Sequence, residues 1–261
     1  MGLFDKLNNK KKKVSFGHSE HKTLHKHLNF TATEQYKLLR TNIDFTLPQD
    51  EKCHVIGVTS SMRGEGKSTT AINLSYVLAE KGSRVLLIDG DLRIPSVAKK
   101  LQVKSIPGLT TLLMNKFETL DQFKSSLLDN WYVMPAGEIP PNPSELLGSS
   151  RMESLLETLK EQFDYIIVDL PPVNIVSDAL SISPFISGMV VVVREEYTEK
   201  KELTHCMRQL SLSNVHVLGC VLNEAKANGG SYGKYKKYKY YRYYYKTPKD
   251  SDENGAKENK A

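Results

Sequence analysis

Residues 55–70 read VIGVTSSMRGEGKSTT: an apolar, β-branched run, a turn containing Gly64 and Gly66, then Lys67-Ser68. The first half suits a buried strand, and from Ala71 to Leu78 apolar residues return at helical spacing. A strand that turns through glycines into a helix headed by Lys-Ser can bind phosphate. Backbone N–H groups from Gly64 onward wrap the anion, Lys67 reaches the β- and γ-phosphates, and the helix presents its positive end. The Ser68 hydroxyl is placed to hold Mg2+. Contact with a nucleotide is therefore expected over Ser61, Met62, Arg63, Gly64, Glu65, Gly66, Lys67, Ser68 and Thr69, with Ser61 standing where the usual pattern begins with glycine.

Outward from this loop, strands are expected at 55–60, 84–91, 132–136, 165–170, 189–194 and 216–222. Helices are expected at 67–81, 108–115, 144–162, 177–187 and 198–211. Such alternation predicts an α/β fold of the P-loop NTPase type, a parallel sheet with helices on both faces and ligands at the carboxyl ends of the strands. The second strand ends in LLIDGDLR and the fourth in YIIVDLPP, which bring Asp89, Asp91 and Asp169 to the edge that carries the loop. Three converging aspartates beside a phosphate loop fit Mg2+ binding and proton transfer. A further helix is expected from Thr31, with Thr31-x-x-Glu34 as a capping box and Tyr36, Leu39 and Ile43 as its apolar stripe. Glu34, Lys37 and Arg40 recur every third residue on another side of it. The four-proline stretch 135–147 predicts a shaped surface loop in which Ser144 caps the next helix.

The net charge of +6 lies in the ends of the chain. Residues 1–29 carry seven Lys against two acids and residues 225–249 carry eight Lys/Arg against none, while residues 30–224 come to −5. No apolar run has the length of a membrane span and the first residues lack a signal peptide's apolar stretch, so a cytoplasmic protein is expected. Cys53, Cys206 and Cys220 have no CxxC spacing and read as reduced residues. Residues 1–30 read as a basic flexible segment, 31–224 as the nucleotide-binding domain, with 31–46 as its N-terminal helix, and 225–261 as a disordered tail. In that tail Tyr232, Tyr235, Tyr238, Tyr240, Tyr241, Tyr243, Tyr244 and Tyr245 supply eight of the chain's 13 tyrosines. Interleaved with Lys, they fit either base stacking on single-stranded nucleic acid or acceptance of phosphoryl groups.

The P-loop, IDGDLR, VDLPP, PPNPSELL and the tyrosine cluster, in this order over residues 31–245, resemble the bacterial tyrosine autokinases of capsule and exopolysaccharide synthesis. The resemblance implies that Ser61 to Ser68, Leu86 to Arg93 and Ile166 to Asp169 are the Walker A, A′ and B segments, with ATP and Mg2+ as cofactors. It implies Lys67, Asp89 and Asp91 as catalytic residues, Asp89 accepting the tyrosine proton, and Ser68, Asp91 and Asp169 as the metal's ligands. It makes the eight tail tyrosines the phosphoacceptors and Glu34, Lys37 and Arg40 a contact between subunits of a ring. Lysine at the middle of that triplet keeps the charge without the guanidinium fork. The implied partners are a transmembrane activator, which holds the kinase at the inner face of the cell membrane, and a cognate tyrosine phosphatase; no specific nucleic acid is expected. The nearest different classes are partition or division-site ATPases and nucleic-acid-binding P-loop ATPases. The former carry a signature lysine where Met62 stands.

Overall fold

The structure, a computed structural model, describes residues 28–48, 50–114 and 119–225. Six strands, β1 (His54–Ser60), β2 (Val85–Asp89), β3 (Trp131–Met134), β4 (Tyr165–Asp169), β5 (Gly188–Arg194) and β6 (Val217–Asn223), form one sheet in the order β3-β2-β4-β1-β5-β6. All five strand pairings are parallel. A parallel sheet needs cover on both faces, and the side-chain alternation supplies two apolar surfaces. Val55, Leu86, Ile88, Ile166 and Val168 enter one core, while Ile56, Val58, Val85, Leu87 and Ile167 enter the other.

The second core is closed by α1 (Phe30–Thr46), α2 (Lys67–Glu80) and α3 (Val97–Leu101). Helix α2 lies between α1 and the sheet, which explains why it is buried almost all round, from Ser68 to Ala79. The far end of α1 is pinned by Asp44, which accepts from the Tyr165 hydroxyl at 2.9 Å and pairs with Lys81 at 2.6 Å. The first core is closed by α4 (Leu109–Leu113), α5 (Pro143–Leu147), α6 (Ser150–Lys160), α7 (Asp178–Ser181) and α8 (Lys200–Leu212).

Several local expectations change. Helix α1 is capped by Asn29, whose side chain accepts from Ala32 N at 2.9 Å, so Thr31 is a helical residue and forms no capping box with Glu34. The helix expected over 144–162 is two helices. It breaks at Gly148, and Ser149 caps the second helix by accepting from Met152 N. Helix α5 starts at Pro143, as suits a residue lacking the amide hydrogen, and this leaves Ser144 inside the helix rather than capping it. Pro184 ends α7 early and turns the rest of 177–187 into a 3-10 turn, Ser183–Phe185. Strand β2 ends at Asp89, two residues before its expected end.

Candidate active site

The loop between β1 and α2 is shaped by contacts that draw its carbonyls outward. Arg63 O accepts from the Tyr197 hydroxyl at 3.1 Å, Gly64 O from Arg194 Nη1 at 3.2 Å, and Glu65 O from Asn223 Nδ2 at 3.1 Å. No hydrogen bond among the described residues engages the N–H groups of Gly64, Glu65 or Gly66. Successive amides left free beside a helix start make a concave anion site. Gly66, the N-cap of α2, has φ 98°, and a Cβ there would meet Asn223 Nδ2 at 2.0 Å. The backbone conformation favours glycine, and a Cβ would also force the Asn223 amide aside. Ser61, the departure from the usual first glycine, uses its hydroxyl: it donates to Glu65 Oε1 at 2.7 Å.

On the other side, charge is gathered. Lys67 Nζ lies 2.9 Å from Asp91 Oδ2 and 3.4 Å from Asp169 Oδ1. Burial works to lower the Lys67 ammonium, but the charges of Asp169 and Asp91 outweigh it and hold its pKa above the ordinary lysine value. Asp89 and Asp169 face each other in register across β2 and β4, and both are fully buried. Burial, reinforced by the Asp169 charge, pushes Asp89 up to about 7. Burial also raises Asp169, against the pull of Lys67. Asp89 Oδ2 accepts from Ser96 N at 3.0 Å and Val97 N at 2.9 Å, tying the strand end to α3. Asp91 Oδ1 accepts from Ile94 N at 3.0 Å. Asp89 Oδ1 and Asp169 Oδ2 are buried without a hydrogen-bond partner among the described residues.

Sequence reasoning missed the side chains that fix this site from outside it. Besides Arg194, Tyr197 and Asn223 these include Thr198, whose hydroxyl donates to Glu65 Oε1 at 2.5 Å, and Glu224, which pairs with Arg194 at 2.6 Å. Arg93, just after Asp91, reaches fully buried Asp178 with Nε at 2.9 Å and Nη2 at 3.0 Å. Ser144 donates to the same carboxylate, so the proline-rich loop is tied to the Walker A′ segment. Asn223 at a strand end and the single arginine of DLR, Arg93, are the hints of these contacts in the sequence.

Residues 53–218 match the family described as an AAA domain. The tyrosine-protein kinase YwqD of Bacillus subtilis is 37% identical over 194 residues, 74% of this chain and 81% of that one. This chain belongs to the tyrosine-protein kinase family. CpsD of Streptococcus pneumoniae, another tyrosine-protein kinase, is 35% identical over 203 residues, covering 77% of this kinase and 88% of CpsD. The kinase domain of Escherichia coli tyrosine kinase ETK superposes with a TM-score of 0.73 at 28% identity, covering 88% and 90% of the two chains. The fold is that of a P-loop nucleotide-binding enzyme, and the enzyme is a protein-tyrosine kinase.

The remaining expected site residues of this kinase fall in two places. Glu34 and Lys37 form an ion pair at 2.9 Å along α1, and Arg40 turns inward to donate to Val77 O at 2.7 Å. The triplet is therefore split between the surface and the α1–α2 seam. The eight tail tyrosines lie outside the described residues. For a divalent cation, the donors fit: a Ser68 hydroxyl at the helix start, an orphaned Asp169 oxygen, and two carboxylates, Asp91 and Asp169, facing one ammonium. No group of three or more His, Cys, Asp or Glu is disposed to hold a metal among the described residues.

Proposed function

We propose that this kinase transfers the γ-phosphoryl group of ATP to its own C-terminal tyrosines, between subunits of a ring, and so regulates synthesis and export of a capsular or extracellular polysaccharide. One observation carries the reading: the chain leaves the sheet at the phosphate loop. Asn223 binds Glu65 O, and Glu224 binds the arginine that holds Gly64. Tyr232 follows eight residues later, at most about 29 Å extended, and Tyr245 within about 75 Å. Either the same site or a neighbour's is in reach, and the family resemblance favours the neighbour's.

Phosphoryl transfer has a loose transition state, so positioning and charge neutralisation dominate. Lys67 meets the β- and γ-oxygens. Ser68, Asp91 and Asp169 would hold Mg2+, which neutralises developing charge on the phosphates. Asp89 orients the tyrosine hydroxyl and accepts its proton; a group near 7 with one unshared oxygen supports that role, since a phenol near pKa 10 needs a base. Glu34, Lys37 and Arg40 contribute to the ring contact. No described helix is long and apolar enough to cross a membrane, which fits a separate transmembrane activator holding the kinase at the inner membrane face. Each phosphotyrosine adds about −1.5 to −2 charges, enough over a few sites to cancel the basic tail, release the ring and await a phosphatase.

The test is incubation of the purified protein with ATP and Mg2+, with and without the activator's cytoplasmic segment, followed by mapping of phosphotyrosine and native mass. Label within 232–245 and a smaller assembly after labelling are expected. Label entirely outside 232–245 overturns the tail as acceptor, and ATP hydrolysis in sandwich dimers with no phosphotyrosine overturns the reading in favour of a partition-type ATPase. Salt-sensitive single-strand binding that requires the tail would favour the nucleic-acid alternative.

A further inference from the structure

Glu65 is an acid inside a loop that binds a polyanion. It is fully buried, and its carboxylate takes three donors: the Ser61 hydroxyl at 2.7 Å, Met62 N at 2.9 Å and the Thr198 hydroxyl at 2.5 Å. A fixed negative charge there repels the nucleotide's phosphates, so its presence calls for an offsetting gain. The geometry points to that gain: Glu65 and Thr198 act as a positioning pair that holds the phosphate loop in its binding shape before the nucleotide arrives.

Three features support this. First, the Glu65 side chain ties the start of the loop, Ser61 and Met62, back onto residue 65, forming a closed ring of side-chain and backbone bonds. Second, Thr198 anchors that ring to the framework. Its oxygen accepts from Arg194 N at 2.9 Å, which turns the hydroxyl hydrogen toward Glu65. Arg194 in turn binds Gly64 O, so loop and anchor share one bracket at the end of β5. Third, the bonds to the carboxylate consume the Met62 amide and leave those of Gly64, Glu65 and Gly66 for the ligand. A loop ordered in advance spares the ordering cost that a flexible one meets on binding. The pair touches no reacting atom, and its effect reaches the nucleotide through the loop backbone.

The inference rests on nucleotide binding at this loop and not on the identity of the phosphoryl acceptor. Its test therefore reads binding directly. Calorimetry with Mg·ADP on the full chain would compare Thr198→Val, which removes only the hydroxyl, with Thr198→Ser, which keeps it. Loss of this hydrogen bond to a charged group, only part of which reaches the nucleotide through the loop backbone, is expected to raise the Mg·ADP Kd roughly three- to tenfold in Thr198→Val. Thr198→Ser is expected to bind within about twofold of the parent, and kcat at saturating ATP is expected to hold while KM rises in Thr198→Val. Glu65→Gln, which places an amide NH2 against donors, is expected to weaken binding more than Thr198→Val does. Unchanged affinity in Thr198→Val, failure of serine to rescue, or tighter binding in Glu65→Gln overturns the proposal; the last would show that the carboxylate's repulsion outweighs its ordering effect. A lower Tm with unchanged Mg·ADP affinity would likewise overturn it by making the pair merely structural.

Discussion

On the β2–β4 side of the phosphate loop, Lys67 pairs with Asp91 and Asp169 and feels the charge of Asp89, and all three carboxylates are buried. On the β5–β6 side, Arg194, Tyr197, Thr198 and Asn223 lie partly in solvent and meet the loop through its carbonyls and the Glu65 carboxylate. One side gathers charge that can neutralise and move protons; the other arranges backbone. Burial serves the first, because electrostatic effects are large where water is excluded. The second needs only hydrogen-bond geometry, which half-exposed side chains can supply.

The comparison breaks most sharply at Lys67. Lys67→Met is expected to lower phosphotyrosine formation roughly a hundred- to a thousandfold in a radiolabel assay, the size of losing one preorganised charge contact. Activity within tenfold of the parent would mean that the carboxylate side is structural. Next, Gly66→Ala forces an L-residue to φ 98° and drives its Cβ into Asn223. Urea unfolding should show a loss of about 1–3 kcal/mol. Adding Asn223→Ala should recover the part due to collision and leave the part due to φ; no recovery would remove Asn223 from the bracket.

A smaller effect separates the two sides by pH. Asp89 is raised to about 7 in the folded chain, so between the unfolded carboxylate value near 4 and about 7 the folded state binds the extra proton. This group's contribution to stability is therefore present at low pH and lost as pH rises through about 7. Asp89→Asn keeps an acceptor for Ser96 and Val97 and removes the titration. Relative to it, the parent should lose stability between pH 5 and pH 8, and parallel curves would show that Asp89 does not titrate there. The smallest effect is expected away from the loop: Glu34→Ala should change monomer stability by only about 0.2–0.5 kcal/mol, since its pair with Lys37 is exposed. A larger change in assembly size than in stability would tie the pair to subunit contact.

Much of the first side was legible because β-branched strands announce where they end, and aspartates at such ends in a parallel sheet share one edge. LLID and YIIVD place Asp89 and Asp169 in register without any side-chain detail. The second side was not legible. Glu195-Glu196-Tyr197-Thr198 reads as a charged turn, and its contacts span more than 130 residues of sequence to a loop with no complementary pattern. Helix ends failed for a similar reason. Thr31 has the side chain of a cap, yet Asn29, two residues earlier, takes that place by accepting from Ala32 N.

The sequence by itself determined the layered α/β architecture, the phosphate loop and the three aspartates, since period, glycine placement and strand-end chemistry are local properties that survive any arrangement of the rest. Only the tertiary structure decided how the loop is held. The strand order places the ends of β5 and β6 against β1's loop, Thr198 finds Glu65, and the root of the tyrosine tail meets the site it is proposed to serve. Those contacts depend on packing between distant segments, which no local pattern records.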